Sequence, residues 1–145
     1  MEKITSLNGI DQIFFIGIAG SGMSALAQFL AGSGKTISGS DRYFTEDGKN
    51  ETQIKLEAEG IKCYLQNGSG INKKLQLIIV STAVEDTVLE VVMAKELHIP
   101  ILKRSDLLAL IAATKRTIAV GGTSGKSTTG GMLFRYYKLQ VTSPA

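Results

Sequence analysis

The chain has 145 residues, 43% of them hydrophobic and 20% charged, with a net charge of +3, a balance that suits one domain with a short extension and argues against disorder. Its basic pairs (Lys73/Lys74, Lys103/Arg104, Lys115/Arg116) are scattered rather than gathered on one face, and a single cysteine, Cys63, excludes an internal disulfide. No apolar run approaches the roughly 20 residues that span a bilayer, and MEKITSLNGIDQ has no apolar signal core, so the expectation is a soluble, cytoplasmic protein with neither a nucleic-acid nor a membrane partner.

In chain order, Ile13 to Ile18 is a continuous apolar run, as in a strand buried on both faces. Met23, Leu26, Ala27 and Leu30 then recur at helical spacing, and Gly34 is the expected stop. A second strand over 36–39 leads into Ser40 and Asp41. A polar loop and a helix near 51–59 follow, ended by Gly60 with Ile61 beyond it. A third strand spans 62–65, QNGSG turns the chain, and a fourth spans 77–81. Thr87 and Glu90 have the spacing of a capping box, which predicts a helix over 88–97. Pro100 closes that helix, Ile101 and Leu102 suit a fifth strand, and Ser105 is placed to cap a helix whose inner face is Leu107, Leu110 and Ile111. The alternation specifies an α/β, Rossmann-like parallel sheet of about five strands with helices on both faces.

A second unit is expected from residue 115. Thr117 to Val120 reads as a strand, and 126–137 as a helix with Thr129, Met132, Leu133 and Tyr136 on one face, weakened by Gly130 and Gly131. Another strand is expected at QVTSPA. One strand and one helix cannot bury a core, so the rest of this second domain is expected beyond Ala145.

Two glycine-rich turns carry the chemistry. Gly17, Gly20 and Gly22 approximate the G-x-G-x-x-G fingerprint, with Ala19 where the middle glycine would stand. Amides at such a turn and the positive end of the helix converge on one point, which suits a diphosphate. Asp41 follows roughly 20 residues later, where an acid can accept bonds from ribose hydroxyls. The second turn, Gly122-Thr123-Ser124-Gly125-Lys126-Ser127-Thr128, keeps the later half of a Walker A motif but has Val120 where its first glycine would be. Its amides can cradle phosphate, Lys126 can reach the β- and γ-phosphates, and Ser127 can ligate Mg²⁺. A simple dehydrogenase needs one such loop. An ATP-driven enzyme acting on a nucleotide-linked substrate needs two.

The blocks GIAGSGMSALA, SGSD, VSTAVEDT, ELHIPILKRSDLLA and AVGGTSGKSTT resemble, in order from Ile13 to Thr129, the successive motifs of the Mur ligase family, and most of all its alanine-adding branch. The resemblance implies an ATP- and Mg²⁺-dependent ligase of peptidoglycan precursor synthesis that joins L-alanine to UDP-N-acetylmuramate through an acyl phosphate. It implies a UDP-sugar-binding domain over 1–114 and the first strand, phosphate loop and helix of an ATP-binding domain over 115–145, the two together inactive. By position, Ala19, Gly20, Ser21, Gly22, Met23 and Ser24 would contact the diphosphate. Ser40 and Asp41 would lie near ribose or uracil, and Ser81 and Thr82 would line the same crevice. Gly122 to Thr128 would hold ATP, with Lys126 catalytic and Ser127 on the metal.

Three positions depart from the alanine-adding pattern: Ser124 and Asn67 stand where histidine is usual, and Val88-Leu89 replaces Asn-Pro. They leave open a relative that adds another amino acid or peptide. An NAD-binding Rossmann module and a regulatory P-loop protein are the further alternatives. His98, the only histidine, reads as a partner of a helix's negative end. Cys63 reads as packing, Glu85 and Asp86 as loop and cap residues, and Tyr136 and Tyr137 as half-buried aromatics.

Overall fold

The computed structural model describes residues 4–142. By backbone contacts the chain divides into two compact units, Met1–Thr114 and Lys115–Ala145.

The first unit is a five-stranded, wholly parallel sheet in the order β3-β2-β1-β4-β5, with β1 Gln12–Ile16, β2 Thr36–Asp41, β3 Lys62–Leu65, β4 Leu77–Val80 and β5 Ile101–Lys103. The central strand β1 pairs with β2 on one side and β4 on the other, so Ile13 faces both Ile37 and Leu77 across the ladders. That placement requires the apolar run seen in the sequence, since alternate side chains enter opposite layers and neither layer meets water.

Ile13 and Phe15 point into one layer, with Met23, Ala27 and Leu30 of α1 (Ser21–Gly32), Leu56 of α2 (Glu51–Ala58) and Leu107 of α4 (Arg104–Ala113). Phe14 and Ile16 enter the other, where Val91 and Ala94 of α3 (Leu89–Glu96) meet Ile71 and Leu75. The connection from β3 to β4 contains no helix. Ile71 and Leu75 of that loop fill the place that a crossover helix would cover.

The helix stops act as their sequences require. After α1 the amides of Gly34 and Lys35 bond the carbonyls of Ala31 and Leu30, and after α2 those of Gly60 and Ile61 bond Glu57 and Leu56. His98 occupies the same position after α3, its amide on Lys95 and that of Ile99 on Ala94, in a left-handed conformation with φ 55°.

The helix starts differ from expectation. The predicted capping box at Thr87 and Glu90 does not form: Val88 caps α3 without a side-chain bond, and Glu90 turns inward and is fully buried. Ser105 is not a cap either, because α4 begins one residue earlier, at Arg104.

In the second unit, α5 runs Lys126–Thr142, longer than predicted and unbroken by Gly130 and Gly131. The strand expected over 117–120 is absent, because no strand lies beside it to pair its amides and carbonyls. The proposed apolar stripe is uncovered, with Met132 68% and Tyr136 57% exposed. The strand expected at QVTSPA is replaced by helix through Thr142, and its last three residues lie outside those described. Among the described residues no helix is long and apolar enough to cross a membrane.

The closeness of β1 to β2 gives a test. A methyl group at Gly39 would lie 2.6 Å from the Phe15 carbonyl oxygen and 2.7 Å from Ile18 Cδ1. Gly39→Ala should therefore destabilise the domain by about 1–3 kcal/mol, read as a lower urea midpoint. An unchanged midpoint would show that these strands have room to spare.

Candidate functional site

In a 3-2-1-4-5 sheet the chain reverses its winding between β1 and β4, and the loops leaving those strands part to open a crevice at their carboxyl ends. A cleft of about 360 Å³ lies there, lined by Gly17 and Gly20 after β1, Asp41, Arg42 and Tyr43 after β2, Gln66 after β3, and Ser81 and Val84 after β4.

The glycine turn is held from β2. The Ser40 carbonyl accepts the amides of Gly17 (2.8 Å) and Ile18 (3.0 Å), and Asp41 Oδ2 accepts that of Ala19 (2.9 Å). Asp41 Oδ1 takes the Tyr43 amide at 3.0 Å, so both carboxylate oxygens already organise backbone. The Gly20 amide makes a long 3.4 Å contact with the Gly17 carbonyl, and the amides of Met23 and Ser24 both bond Gly20 at 2.8 Å. Those of Ser21 and Gly22, the first two residues of α1, have no acceptor among the described residues.

The structure thus sorts the expected residues. Gly20, Asp41 and Ser81 line the cleft, and Ser21 and Gly22 follow Gly20 with open amides. The Ala19 amide is occupied by Asp41. Met23 is buried in the core, with 2% of its surface exposed, and Ser24 turns its hydroxyl back to the Ser21 carbonyl at 3.2 Å. Thr82 is exposed beside the cleft-lining Ser81. Ser40 is fully buried, and its hydroxyl donates to Glu90 Oε2 at 2.6 Å.

Sequence reasoning missed Glu90. A carboxylate inside the apolar second layer is an expensive group. Burial pushes its pKa above the ordinary glutamate range, opposed by Ser40, the Gly68 backbone and the Gln66 side chain. Its second oxygen, Oε1, makes no hydrogen bond of good geometry. Because Ser40 also holds the glycine turn through its carbonyl, Glu90 braces the strand end from which that turn hangs. Arg42 and Tyr43 were missed too; they form a cation–π pair 4.8 Å apart at the cleft wall. Nothing in a polar loop signals such a wall, which exists only once β2 and β3 are side by side. Cys63 packs against the first layer, as expected, and burial, with help from Glu57 and against Lys49, raises its thiol to about 11.

In the second unit the Lys126 ammonium donates to the Gly122 carbonyl at 2.6 Å, across a loop in which Gly122 and Gly125 take φ 145° and 75°. The amides of residues 123–128 have no acceptor among the described residues, which suits a phosphate cradle. No group of three or more His, Cys, Asp or Glu gathers as a metal centre among the described residues.

Glu90 gives a pH test. A folded-state pKa above the unfolded value means that the stability from this group is whole below about 4.5 and is lost as pH rises through the folded value. The urea midpoint of the wild type should therefore fall relative to that of Glu90→Gln as pH is raised from acid toward neutrality. Parallel curves for the two proteins would mean that Glu90 titrates as an ordinary carboxylate.

Residues 12–116 match the model of the Mur ligase family, catalytic domain. The chain is 43% identical over 122 residues to the UDP-N-acetylmuramate–L-alanine ligase of Dictyoglomus turgidum, covering 84% of this chain and 25% of that protein. It is 39% identical over 134 residues to the enzyme of that name from Syntrophomonas wolfei, covering 92% and 28%. Among solved structures it resembles the UDP-N-acetylmuramate-alanine ligase of Thermotoga maritima, with a TM-score of 0.63, 27% identity and coverage of 71% and 23%. A murein peptide ligase from Psychrobacter arcticus shares the fold, with a TM-score of 0.72, 23% identity and coverage of 82% and 24%. The chain spans about a quarter of the length of the curated relatives it matches. On a family match through the whole sheet and relatives at this identity, the chain belongs to the Mur ligase family.

Proposed function

We propose that this chain is the UDP-sugar-binding part, residues 1–114, and the opening of the ATP-binding part, residues 115–145, of a cytoplasmic ligase that joins L-alanine to UDP-N-acetylmuramate. The observation that carries the reading is the glycine turn of β1, which leaves the Ser21 and Gly22 amides open beside a cleft at the sheet's switch point. Its family supplies the substrate class, through relatives named for that reaction.

In this reading the diphosphate rests on the Ser21 and Gly22 amides and the positive end of α1. Gly20 gives the backbone close approach, and Asp41 turns its remaining lone pairs to the ribose. Ala19, Met23, Ser24 and Ser40 shape the turn rather than touch the ligand, and Ser81 with Thr82 closes the β4 side. In the second unit the amides of 123–128 cradle ATP. Lys126 leaves the Gly122 carbonyl for the phosphates, and Ser127 offers its hydroxyl to Mg²⁺ beside phosphate oxygens. ATP bound there supplies the phosphoryl group that activates the sugar's carboxylate for attack by the amino acid. The 145 residues alone should bind without forming the amide, since they match only a quarter of the relatives' length.

Two outcomes follow. In calorimetry UDP-N-acetylmuramate should bind saturably and NAD should not; saturable heat from NAD with none from the sugar nucleotide would favour the dinucleotide module instead. ATP binding to the second unit should weaken about tenfold or more in Lys126→Ala, as expected on losing a charge-assisted contact. Equal ATP binding by both proteins would remove Lys126 from the phosphate site, and ATP hydrolysis by these residues, abolished by that change, would favour a nucleotide switch.

A further inference from the structure

We propose that Arg104 is a direct ligand of the diphosphate at the first glycine turn, adding a charged side chain to a subsite otherwise made of backbone. The inference rests on the reading of this cleft as a UDP-sugar site.

Arg104 opens α4 just past β5 and reaches across to the start of α1. The tip of its side chain lies against Gly22. A methyl group at Gly22 would collide with Nη1 and lie 3.3 Å from Cζ and 3.5 Å from Cδ. A β-carbon at this position would push the exposed, flexible end of the Arg104 side chain aside. The tip therefore sits near Gly22, whose amide is one of the two at the start of α1 with no acceptor among the described residues. Among the described residues Arg104 has no carboxylate partner and no hydrogen bond.

Its position is unfavourable twice over. The amino end of α1 is partially positive, and so is that of α4, whose first turn is a place for acids rather than for arginine. A positive side chain whose tip lies against one such end and which is attached to the other, exposed and with no counter-charge among the described residues, is weakly repelled by both. An anion between Arg104 and the α1 amides reverses every one of these signs. The planar fork and two converging amides match the oxygens of a phosphoryl group better than a point charge would. A basic residue at the first position of a helix, at the carboxyl edge of the sheet, was the signal available in the sequence.

The test is calorimetry on the 145-residue chain with UDP-N-acetylmuramate, and with uridine as a ligand lacking phosphate. Arg104→Ala should weaken the sugar nucleotide about tenfold or more and flatten its salt dependence, while uridine binding stays as it is. Arg104→Lys should recover only part of the loss. Gly22→Ala, which pushes the guanidinium tip aside, should weaken binding in the wild type but add little to Arg104→Ala. Thermal unfolding confirms that each variant is folded. Sugar-nucleotide affinity within twofold of wild type in Arg104→Ala, or an equal loss for uridine, overturns the assignment while leaving the UDP-sugar reading intact. Failure of the wild type to bind the sugar nucleotide at all overturns both.

Discussion

The fold and its cleft depend on one backbone arrangement: β1 is paired on both sides, and the end of β2 grips the turn by which the chain leaves β1. The Ser40 carbonyl takes two amides of that turn, and Asp41 takes a third. With these bonds made, the chain can enter α1 only in one direction, and the next two amides are left facing outward. A buried strand and two open amides at the helix start thus share one cause. The unmet amides at the helix start are tolerated because they lie at the surface, within reach of water or a ligand.

Glu90 shows how such a turn is braced from below. A glutamate in the first turn of a helix ordinarily faces solvent and complements the helix dipole. Here it enters the apolar layer beneath β2, and the Ser40 hydroxyl meets it. The same serine therefore binds the glycine turn through its backbone and the neighbouring helix through its side chain. Desolvation of the carboxylate opposes that connection and pushes its pKa up. The site is held in shape by a group that the interior would otherwise reject.

The two glycine turns differ in what supports them. The first follows a strand paired on both sides and is clamped by the end of β2. The second is preceded by an apolar segment without a pairing strand, and its helix α5 leaves Met132 and Tyr136 bare. Its local geometry nonetheless forms, with left-handed-region glycines, a run of open amides and Lys126 drawn onto the Gly122 carbonyl. A phosphate loop is largely a local backbone conformation. A strand is a relation between segments, which is why one was readable at 122–128 and the other failed at 117–120.

The same distinction divides the whole protein. Glycine placement was enough to read the stops at Gly34 and Gly60 and both glycine turns, because each depends on residues within a few positions of one another, and the five strands were readable because apolar runs alternate with helices along the chain. The capping box at Thr87 and the cap at Ser105 were misread because spacing alone does not reveal which way a side chain turns. For Glu90 the answer came from Ser40, fifty residues away in sequence. The cleft wall of Tyr43 and Gln66, and Arg104 against Gly22, likewise join strand ends that are distant in sequence. The sequence by itself determined the layered sheet and the two glycine turns proposed to hold phosphate. Only the tertiary structure decided which amides stay open and which side chains surround them, since both depend on which strand ends pairing brings together.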